Sequence, residues 1–435
     1  MVKFWFDNFL VKKLGYAMTN ADLVRGVARR FDIPIMIVGP NVFPDRVGIF
    51  PDHIDEIAAR CPKKRGFIVT DKFCVRYIKK IIDCFEKRHN FIFEIYDKIL
   101  PECPTENIIE CGKAMSQFEP DVIFAVGGGS VIDGAKLSWI FYEKPDFNVF
   151  EEFDVFTTLN LRKKAFLIAI PTTSGTGSET TAAAIFKVDL GEGKHMKAPI
   201  ASPELKPDYA LLDPTLTYDM PPKLTAGTGL DALAHAIFGI VGPGSNDFSD
   251  ALGLQAIKMI FKYLPRAFRN GKDREARLKM ITAASLAGIC FDRGGSTGIN
   301  HSMGHQLGAM FKIHHGIAVG LFITYGLQFY YPLTTKYLDI CEALNIRDDI
   351  SNEQSLKNLC DKVNQLLKEL DLPTDLKGLG ISRTDFEEKL TELAENTLND
   401  PTSFTSPVPL DLETYKLLYS YAFDGKDVPL DLILQ

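Results

Sequence analysis

Short apolar segments alternate with helix-patterned stretches through the first part of the chain. Buried strands are predicted at residues 34–39, 66–70, 121–126 and 165–170, and a helix at residues 75–89. Strands that alternate with helices predict a parallel sheet with helices on both faces. In such a sheet, ligands bind at the carboxyl ends of the strands. This alternation therefore predicts an α/β domain that binds a ligand at one edge.

Three of the predicted strands end in residues suited to a nucleotide. Gly127-Gly128-Gly129-Ser130 follows one strand and opens a helix, where glycines let a phosphate approach backbone N–H groups. The G-x-G-x-x-G dinucleotide pattern is absent, and a tight turn without a ligand is the alternative. Residues 171–179, Pro-Thr-Thr-Ser-Gly-Thr-Gly-Ser-Glu, offer hydroxyls to a ribose, an amide or a phosphate, although a polar turn has the same composition. Asp71 follows a third strand, where it accepts from an adenosine ribose or caps the next helix.

From about residue 221 the pattern becomes helical, with helices predicted at residues 250–264, 273–287, 355–370 and 383–397. Ser351 and Ser382 are predicted helix starts. The predicted organisation is an N-terminal leader (1–32), an α/β domain (33–215) and a helical domain (216–435).

Histidines predict a metal centre in the helical half. Four of the chain's eight histidines, His301, His305, His314 and His315, fall within fifteen residues, and His235 follows Asp231 by one helical turn. A lone histidine is more often a core residue, but a cluster with a carboxylate favours a divalent ion. Structural zinc sites favour thiolates, and no cysteine lies in this cluster. One carboxylate with imidazoles suits catalytic Fe(II), Zn(II) or another divalent ion, and the spacing leaves open which of the four later histidines bind.

Composition narrows the partners and the compartment. The net charge is −7, and Lys and Arg are scattered, so neither nucleic acid nor membrane is an expected partner. The eight cysteines have no C-x-x-C spacing and indicate thiols in a reducing compartment. Charged residues interrupt the N-terminus too early for a signal-peptide core. A cytoplasmic enzyme is the expectation.

Several motifs in register resemble the iron-dependent alcohol dehydrogenase family. They are residues 125–136 (Ala-Val-Gly-Gly-Gly-Ser-Val-Ile-Asp-Gly-Ala-Lys), 171–179, 212–217, 229–235 (Gly-Leu-Asp-Ala-Leu-Ala-His), and His301-x-x-x-His305 with His315-Gly316. The resemblance covers residues 60 to 330, extends loosely into the last hundred residues, and does not account for the first thirty.

The resemblance implies an α/β N-terminal dinucleotide-binding domain followed by an all-α C-terminal domain, the dehydroquinate synthase-like architecture, with the active site in the cleft between. The metal ligands that it implies are Asp231, His235, His301 and His315. The cofactor-binding residues that it implies are Asp71, Gly128, Gly129, Ser130, Asp133, Thr172, Thr173, Thr176 and Lys197. His305 matches the family's non-ligand histidine near the nicotinamide, and is a candidate to relay a proton or to form an aromatic wall.

The expected activity is the NAD-dependent, metal-dependent interconversion of a primary alcohol and an aldehyde by hydride transfer. A divalent ion lowers the pKa of a bound hydroxyl, and nicotinamide supplies the redox chemistry. Four protein ligands plus a substrate oxygen favour five-coordinate Fe(II) over tetrahedral Zn(II). The alternatives are a hydroxyacid–oxoacid transhydrogenase and a non-catalytic metal-binding or assembly protein. A homodimer or larger homo-oligomer is expected from the family.

Two departures from the family pattern bear on the substrate. Phe238 stands where the family usually carries Glu, and the stretch between Phe291 and His301 is one residue longer and contains Asp292-Arg293. Both changes are expected near the substrate pocket, so the family's substrates transfer poorly to this chain. Arg293 is predicted either to meet an anionic substrate or to pair with Asp292 at the surface.

Overall fold

The computed structural model describes residues 31–44, 52–147, 158–191, 194–408 and 410–432, and the side chains of residues 188–197 and 404 lie outside this description. The chain divides into two compact units, one spanning Asp32–Asp219 and the other beginning at Met220. This division lies close to the predicted boundary at residue 215. Residues 1–30, which make up most of the predicted leader, lie outside the described part.

A parallel sheet forms the centre of the first unit. Its described strands are β1 (Ile35–Val38), β2 (Arg65–Val69), β3 (Ile92–Tyr96), β4 (Val122–Gly127), β5 (Phe166–Pro171) and β8 (Tyr209–Leu212). They are arranged in the order β1-β8-β5-β4-β2-β3, and every adjacent pair is parallel. Strands β6 (Ala183–Gly191) and β7 (Lys194–Ala201) form a separate antiparallel pair. The predicted α/β class is confirmed.

Four described helices connect the strands of this unit. They are α1 (His53–Ala59), α2 (Ile78–His89), α3 (Thr105–Phe118) and α4 (Gly129–Glu143). All residues of β4 and β5 are buried, which explains why these two strands were readable as continuous apolar runs. The predicted helix at residues 75–89 begins as a 3₁₀ turn (Cys74–Tyr77) before α2. Strands β3 and β8 and the β6–β7 pair were not predicted.

The second unit is helical in its described residues. Its helices are α5 (Pro222–Val241), α6 (Asp247–Arg269), α7 (Arg274–Gly294), α8 (Ile299–Phe311), α9 (His315–Leu321), α10 (Ile323–Tyr330), α11 (Tyr337–Ala343), α12 (Asn352–Glu369), α13 (Arg383–Leu398) and α14 (Leu412–Asp424). Both predicted starts are present, because the side chains of Ser351 and Ser382 accept backbone N–H bonds from the first turns of α12 and α13.

Helix α5 is the central helix of this unit. Among the described helices, it alone is long and apolar enough to cross a membrane, but 94% of its most apolar window is buried inside the protein. It packs against α6, α7 and α9. These contacts make α5 a core helix, and its few polar side chains are therefore surrounded by protein.

Candidate metal centre and nucleotide-binding edge

Three helices of the second unit bring one carboxylate and three imidazoles together. Asp231 and His235 lie one turn apart on α5, and both are buried. His301 is buried in the first turn of α8, and His315 is the first residue of α9. Helices α8 and α9 approach closely at Gly304, where a Cβ atom would lie 2.9 Å from the backbone of Val319. This close packing places His315 beside His301.

The ligand atoms of Asp231, His301 and His315 all lie within 4.8 Å of one another, and His235 lies beside Asp231 and His301. The Asp231 Oδ1 atom is 3.4 Å from His301 Nε2, 3.4 Å from His315 Nε2 and 3.7 Å from His235 Nε2. The Nε2 atoms of His235 and His301 are 3.0 Å apart. Ligand atoms about 2.1 Å from a tetrahedral ion lie about 3.4 Å from each other. The observed spacings therefore fit one first-row divalent ion at their centre.

The local chemistry supports the same fit. Asp231 Oδ1 is buried and accepts no hydrogen bond from the described residues, which is costly unless a cation binds there. His301 Nδ1 lies 2.8 Å from the Thr297 carbonyl oxygen, which can only accept, so Nδ1 carries the hydrogen. The lone pair of His301 is therefore on Nε2, the atom that faces the cluster.

The electrostatics of the cluster favour the protonation states that a metal needs. Burial alone would raise the pKa of Asp231, but the adjacent His235 and His315 hold it well below its usual value. Burial lowers the pKa of His315 to about 4, against the opposing effect of the Asp231 carboxylate. The His315 side chain is 35% accessible, the largest accessible fraction among the four side chains of the cluster. A carboxylate and a neutral imidazole are the forms that ligate.

The structure separates the two adjacent histidines. His315 points its Nε2 atom at Asp231, whereas His314 precedes α9 as its N-cap and lies against Gly227 of α5. Of the two, His315 is thus the residue that the fold brings to the carboxylate. The accessible side of the cluster is also the His315 side, because the side chains of Asp231, His235 and His301 are each at most 7% exposed.

His305 lies next to the cluster without joining it. Its ring stacks on that of His315, with 5.1 Å between ring centroids and 22° between planes. Its Nδ1 atom is 2.9 Å from the Oδ2 atom of Asp400, a residue that the sequence analysis did not select. A possible signal was the Asp400-Pro401-Thr402 sequence, which is typical of a residue that caps a turn.

In the first unit, the sheet order places the three predicted strand ends side by side. Strands β5, β4 and β2 are adjacent, so the turns that follow them meet at one edge. The Thr172 N–H donates to the Gly127 carbonyl oxygen at 2.9 Å, and Thr70 Oγ1 donates to the Val126 carbonyl oxygen at 2.7 Å. The first bond holds the hydroxyl-rich turn against the glycine turn, and the second ties the end of β2 to the end of β4.

The glycine turn leaves a helix N-terminus open. Gly128 is the N-cap of α4 and offers no side-chain acceptor, and since the Val131 N–H already donates to the Gly128 carbonyl oxygen, the N–H groups of Gly129 and Ser130 are the ones available to an anion. A Cβ atom on Gly129 would lie 2.7 Å from Thr176 Cγ2, and one on Gly128 would lie 3.3 Å from Thr173 Cγ2. Glycine is thus required for this approach of the two turns. Ser174, which belongs to the predicted hydroxyl-rich segment but not to the residues that the resemblance implies, adds a buried hydroxyl that has no partner among the described residues.

Asp71 lies at the same edge, just beyond β2. Its Oδ1 atom accepts the backbone N–H groups of Phe73 and Cys74, both at 2.8 Å, and so caps the 3₁₀ turn. Within the described chain, no backbone N–H group donates to its Oδ2 atom, and the Cys74 thiol also interacts with the carboxylate. The capping role is therefore present, and one carboxylate oxygen is left for a ligand.

The other residues predicted to bind the nucleotide differ in what their side chains contact. Asp133 accepts hydrogen bonds from Ser178 Oγ and from the Ile185 N–H group, so its carboxylate faces the protein. Burial raises the pKa of Asp133, against the opposing effect of Lys136. Ser130 Oγ accepts from the Glu102 N–H at 3.3 Å. Lys197 lies on β7, but its side chain is outside the described part of the structure.

Phe238 and Arg293, the two departures from the family pattern, have different surroundings in the structure. Phe238 is fully buried in the core of the second unit and packs edge-on to Tyr330, so it does not line an open pocket. Arg293 pairs with Asp292, and its side chain is 14% exposed. Phe291 has the stronger link to the metal cluster, because its ring stacks on that of His235 at 4.2 Å between centroids. No sequence motif pointed to Phe291.

A parallel sheet with glycine-rich and hydroxyl-rich turns along one edge, and a carboxylate–imidazole cluster on packed helices, are the features expected of a metal-dependent dehydrogenase. Comparison with known proteins gives the family. The chain matches the Iron-containing alcohol dehydrogenase family over residues 44–214 and the C-terminal part of the Fe-containing alcohol dehydrogenase family over residues 225–423. The chain belongs to the iron-containing alcohol dehydrogenase family, whose members use NAD(H) and Fe(II) to interconvert alcohols and aldehydes.

Individual relatives support this membership. The NADPH-dependent butanol dehydrogenase of Clostridium saccharobutylicum is 36% identical over 81% of this chain and 89% of its own length. The bifunctional aldehyde-alcohol dehydrogenase of Escherichia coli is 32% identical over 92% of this chain, which spans 48% of that protein. The sulfoacetaldehyde reductase of Bifidobacterium kashiwanohense, solved with NAD+, superposes with a TM-score of 0.77 at 26% identity, covering 91% of this chain and 99% of that one.

Proposed function

We propose that this alcohol dehydrogenase acts on short primary alcohols and their aldehydes, with iron held by Asp231, His235, His301 and His315. The observation that carries the proposal is that the Nε2 atoms of three histidines lie 3.4 to 3.7 Å from the Asp231 Oδ1 atom, with the ligand atoms of Asp231, His301 and His315 all within 4.8 Å of one another. Bound iron would act as a Lewis acid toward the substrate oxygen. The protein contributes buried ligands in the required protonation states and one accessible side for the substrate.

The nucleotide is proposed to bind along the edge formed by the turns after β2, β4 and β5. The open N-terminus of α4 would hold the pyrophosphate, with Gly128, Gly129 and Ser130 at the closest approach. Thr172, Thr173 and Thr176 would supply hydroxyls. Asp133 would act indirectly, through its bond to Ser178, and a contact from Lys197 remains part of the proposal. The nicotinamide supplies the redox chemistry when bound.

NAD is the proposed coenzyme in preference to NADP. The Oδ2 atom of Asp71, to which no backbone group donates, would accept a hydrogen bond from the ribose hydroxyl, and the carboxylate charge would repel a 2′-phosphate. The butanol dehydrogenase relative is NADPH-dependent, so family membership alone does not give this preference. The charge at position 71 is the feature of this chain that supports it.

Two side chains are proposed to face the substrate. Phe291 stacks on His235 and would give an apolar wall for an alkyl group. His305 stacks on His315 at the accessible side and would contact the hydroxyl or lead its proton to solvent. This pairing of an apolar wall with one imidazole favours a neutral, unbranched alcohol over a hydroxy acid.

The test is a panel of alcohols from ethanol to pentanol, assayed for NADH formation with enzyme loaded anaerobically with Fe(II). We expect steady turnover with no added acceptor, and loss of turnover when iron is removed. Turnover that requires an added oxoacid would instead indicate a transhydrogenase. No turnover in either direction would contradict the proposed activity.

Assembly and location complete the proposal. Among the described residues, the edge strand β1 has 45% of Ile35 and 48% of Val38 exposed, which supports pairing with another copy of the chain. A homodimer or larger homo-oligomer in the cytoplasm is therefore proposed. Light scattering of the full chain would show a monomer if the oligomer is wrong.

A further inference from the structure

Asp400 binds two parts of the second unit through its two carboxylate oxygens. It lies between α13 and the 3₁₀ turn Pro401–Thr405, and it is buried. Its Oδ1 atom accepts the Thr402 N–H at 2.9 Å and the Thr402 hydroxyl at 2.6 Å. Its Oδ2 atom accepts Gln306 Nε2 at 3.0 Å and lies 2.9 Å from His305 Nδ1. One oxygen therefore caps the turn, while the other holds two neighbouring side chains of α8.

The Thr402 N–H, the Thr402 hydroxyl and the Gln306 amide all donate to Asp400, which is the pattern of an ionised carboxylate. Burial by itself would raise the pKa of Asp400, but His305 and the bonds from Thr402 lower it below the usual value. An ionised carboxylate has no hydrogen to give, and so the hydrogen between the two side chains belongs to His305 Nδ1. In the neutral ring, Nε2 then carries the lone pair.

The other nitrogen of His305 is directed away from Asp400. The His305 side chain is 15% exposed, and its Nε2 atom has no hydrogen-bond partner in the described part of the chain. The ring lies flat on His315, the most accessible residue of the metal cluster. A ring of fixed tautomer is thus held at the open side of the centre, with an acceptor available to a ligand.

We infer that Asp400 is a positioning residue for the dehydrogenase reaction. It fixes the ring orientation and the Nδ1–H tautomer of His305, so that Nε2 accepts a hydrogen bond from the substrate hydroxyl. This inference rests on the proposed function, in which His305 faces the substrate. A carboxylate that orients a histidine in this way is a recurrent device around metal centres. The contrasting role for Asp400 is purely structural, as the cap of the turn.

The Asp400→Asn variant separates the two roles. An amide has one oxygen and one NH₂ group, so it cannot accept hydrogen bonds on both sides. If the oxygen stays with Thr402, the NH₂ group faces His305, which must then rotate or change tautomer. We expect kcat to fall roughly 10- to 100-fold, with KM for the alcohol changed by less than roughly threefold. Iron content and NADH affinity should remain at wild-type values.

Two control variants remove neighbouring donors without touching His305. Thr402→Val removes the hydroxyl that caps through Oδ1, and Gln306→Met removes the second donor to Oδ2. Both variants should lower the melting temperature. In both, kcat should stay within roughly threefold of the wild-type value. If these variants lose as much kcat as Asp400→Asn does, then Asp400 affects kcat through the 3₁₀ turn and not through His305.

A double-mutant cycle gives the decisive comparison. In a His305→Phe background, Asp400→Asn should cause no further loss of kcat, because its effect acts through the missing imidazole. An equal loss in both backgrounds would overturn the inference. If Asp400→Asn does not fold, Asp400→Glu keeps the charge and both acceptors. We then expect a loss of kcat that is again absent in the His305→Phe background.

A crystal structure of the Asp400→Asn enzyme provides a readout that does not depend on activity. The inference requires either a rotated or doubly placed His305 ring or a ring whose hydrogen has moved from Nδ1 to Nε2, which neutron diffraction shows, with the metal ligands unmoved. A ring that keeps both its place against His315 and its Nδ1 hydrogen would overturn it. If the proposed function itself is wrong, the wild-type enzyme will not turn over alcohols. That result is distinguishable from a failure of the Asp400 inference, which concerns the variants.

Discussion

Gly316 on α9 lies directly against the backbone of Gly227 on α5. A Cβ atom on Gly316 would be 2.0 Å from the Gly227 carbonyl oxygen, closer than any side chain can come. A Cβ atom there would also lie 3.1 Å from the Cβ atom of Asp231. The two glycines thus allow the approach of helices that places His315 next to Asp231, which explains why a glycine follows the last histidine of the cluster.

The Gly316→Ala variant should therefore lose iron. Alanine is about 1 kcal/mol better than glycine inside a helix, so helix propensity alone predicts a stabilised protein. The clash with backbone atoms predicts the opposite, a destabilisation of about 1 to 3 kcal/mol together with a displaced His315. Thermal melting and iron analysis measure both effects. Ala318→Gly on the same helix is the matched control, and should lose about 1 kcal/mol but keep its iron.

The ligand assignment predicts different outcomes for adjacent histidines. Asp231→Ala and His315→Ala should each remove most of the bound iron and essentially all activity. His314→Ala should retain both, because His314 contacts Gly227 and not the carboxylate. Metal analysis of the three purified variants tests the assignment. Full iron content in His315→Ala, with loss in His314→Ala, would reverse it.

The coenzyme preference should depend on the charge of Asp71. Like charges a few ångströms apart in a partly solvated cleft repel by about 1 to 4 kcal/mol, which corresponds to a preference of roughly ten- to a thousand-fold for NAD over NADP in kcat/KM. Asp71→Gly should lower this ratio by at least roughly tenfold. Asp71→Asn is the sharper variant, because its side-chain oxygen can still cap the turn after β2.

These two Asp71 variants also separate coenzyme recognition from stability. If Asp71 serves only as a cap, Asp71→Asn will keep both the melting temperature and the wild-type ratio. Asp71→Gly would then lower the melting temperature alone. Steady-state kinetics with both coenzymes, combined with thermal melting, measures the two properties on the same samples.

Arg293 gives a prediction about substrate charge. Its guanidinium pairs with Asp292, and this pairing reduces its attraction for an anion. We expect Arg293→Ala to leave kcat/KM within roughly threefold for both neutral and anionic aldehydes. A loss confined to anionic substrates would instead place Arg293 in the substrate pocket. Sulfoacetaldehyde is a suitable anionic probe, since a structural relative is a sulfoacetaldehyde reductase.

The local patterns of the sequence determined the element types and the chemistry of the site. Strands β4 and β5 could be predicted from continuous apolar runs, because these strands are buried along their whole length. The capping residues Ser351 and Ser382 correctly predicted where α12 and α13 begin. The four-residue spacing of Asp231 and His235 predicted that both side chains lie on one face of one helix. Strand β3 was missed because Glu94 breaks a short segment, and its pairing with β2 comes from the sheet.

Tertiary structure alone decided how these pieces meet. Spacing could not rank the later histidines, because the answer depends on the approach of α5 and α9 at Gly227 and Gly316. It could not find Asp400, which reaches His305 from 95 residues further along the chain. Phe238 looked like a pocket residue in the sequence but lies in the core, since the direction of a side chain depends on the packing of its helix. Residue identity fixes what a side chain can do, and long-range packing fixes which partner it meets.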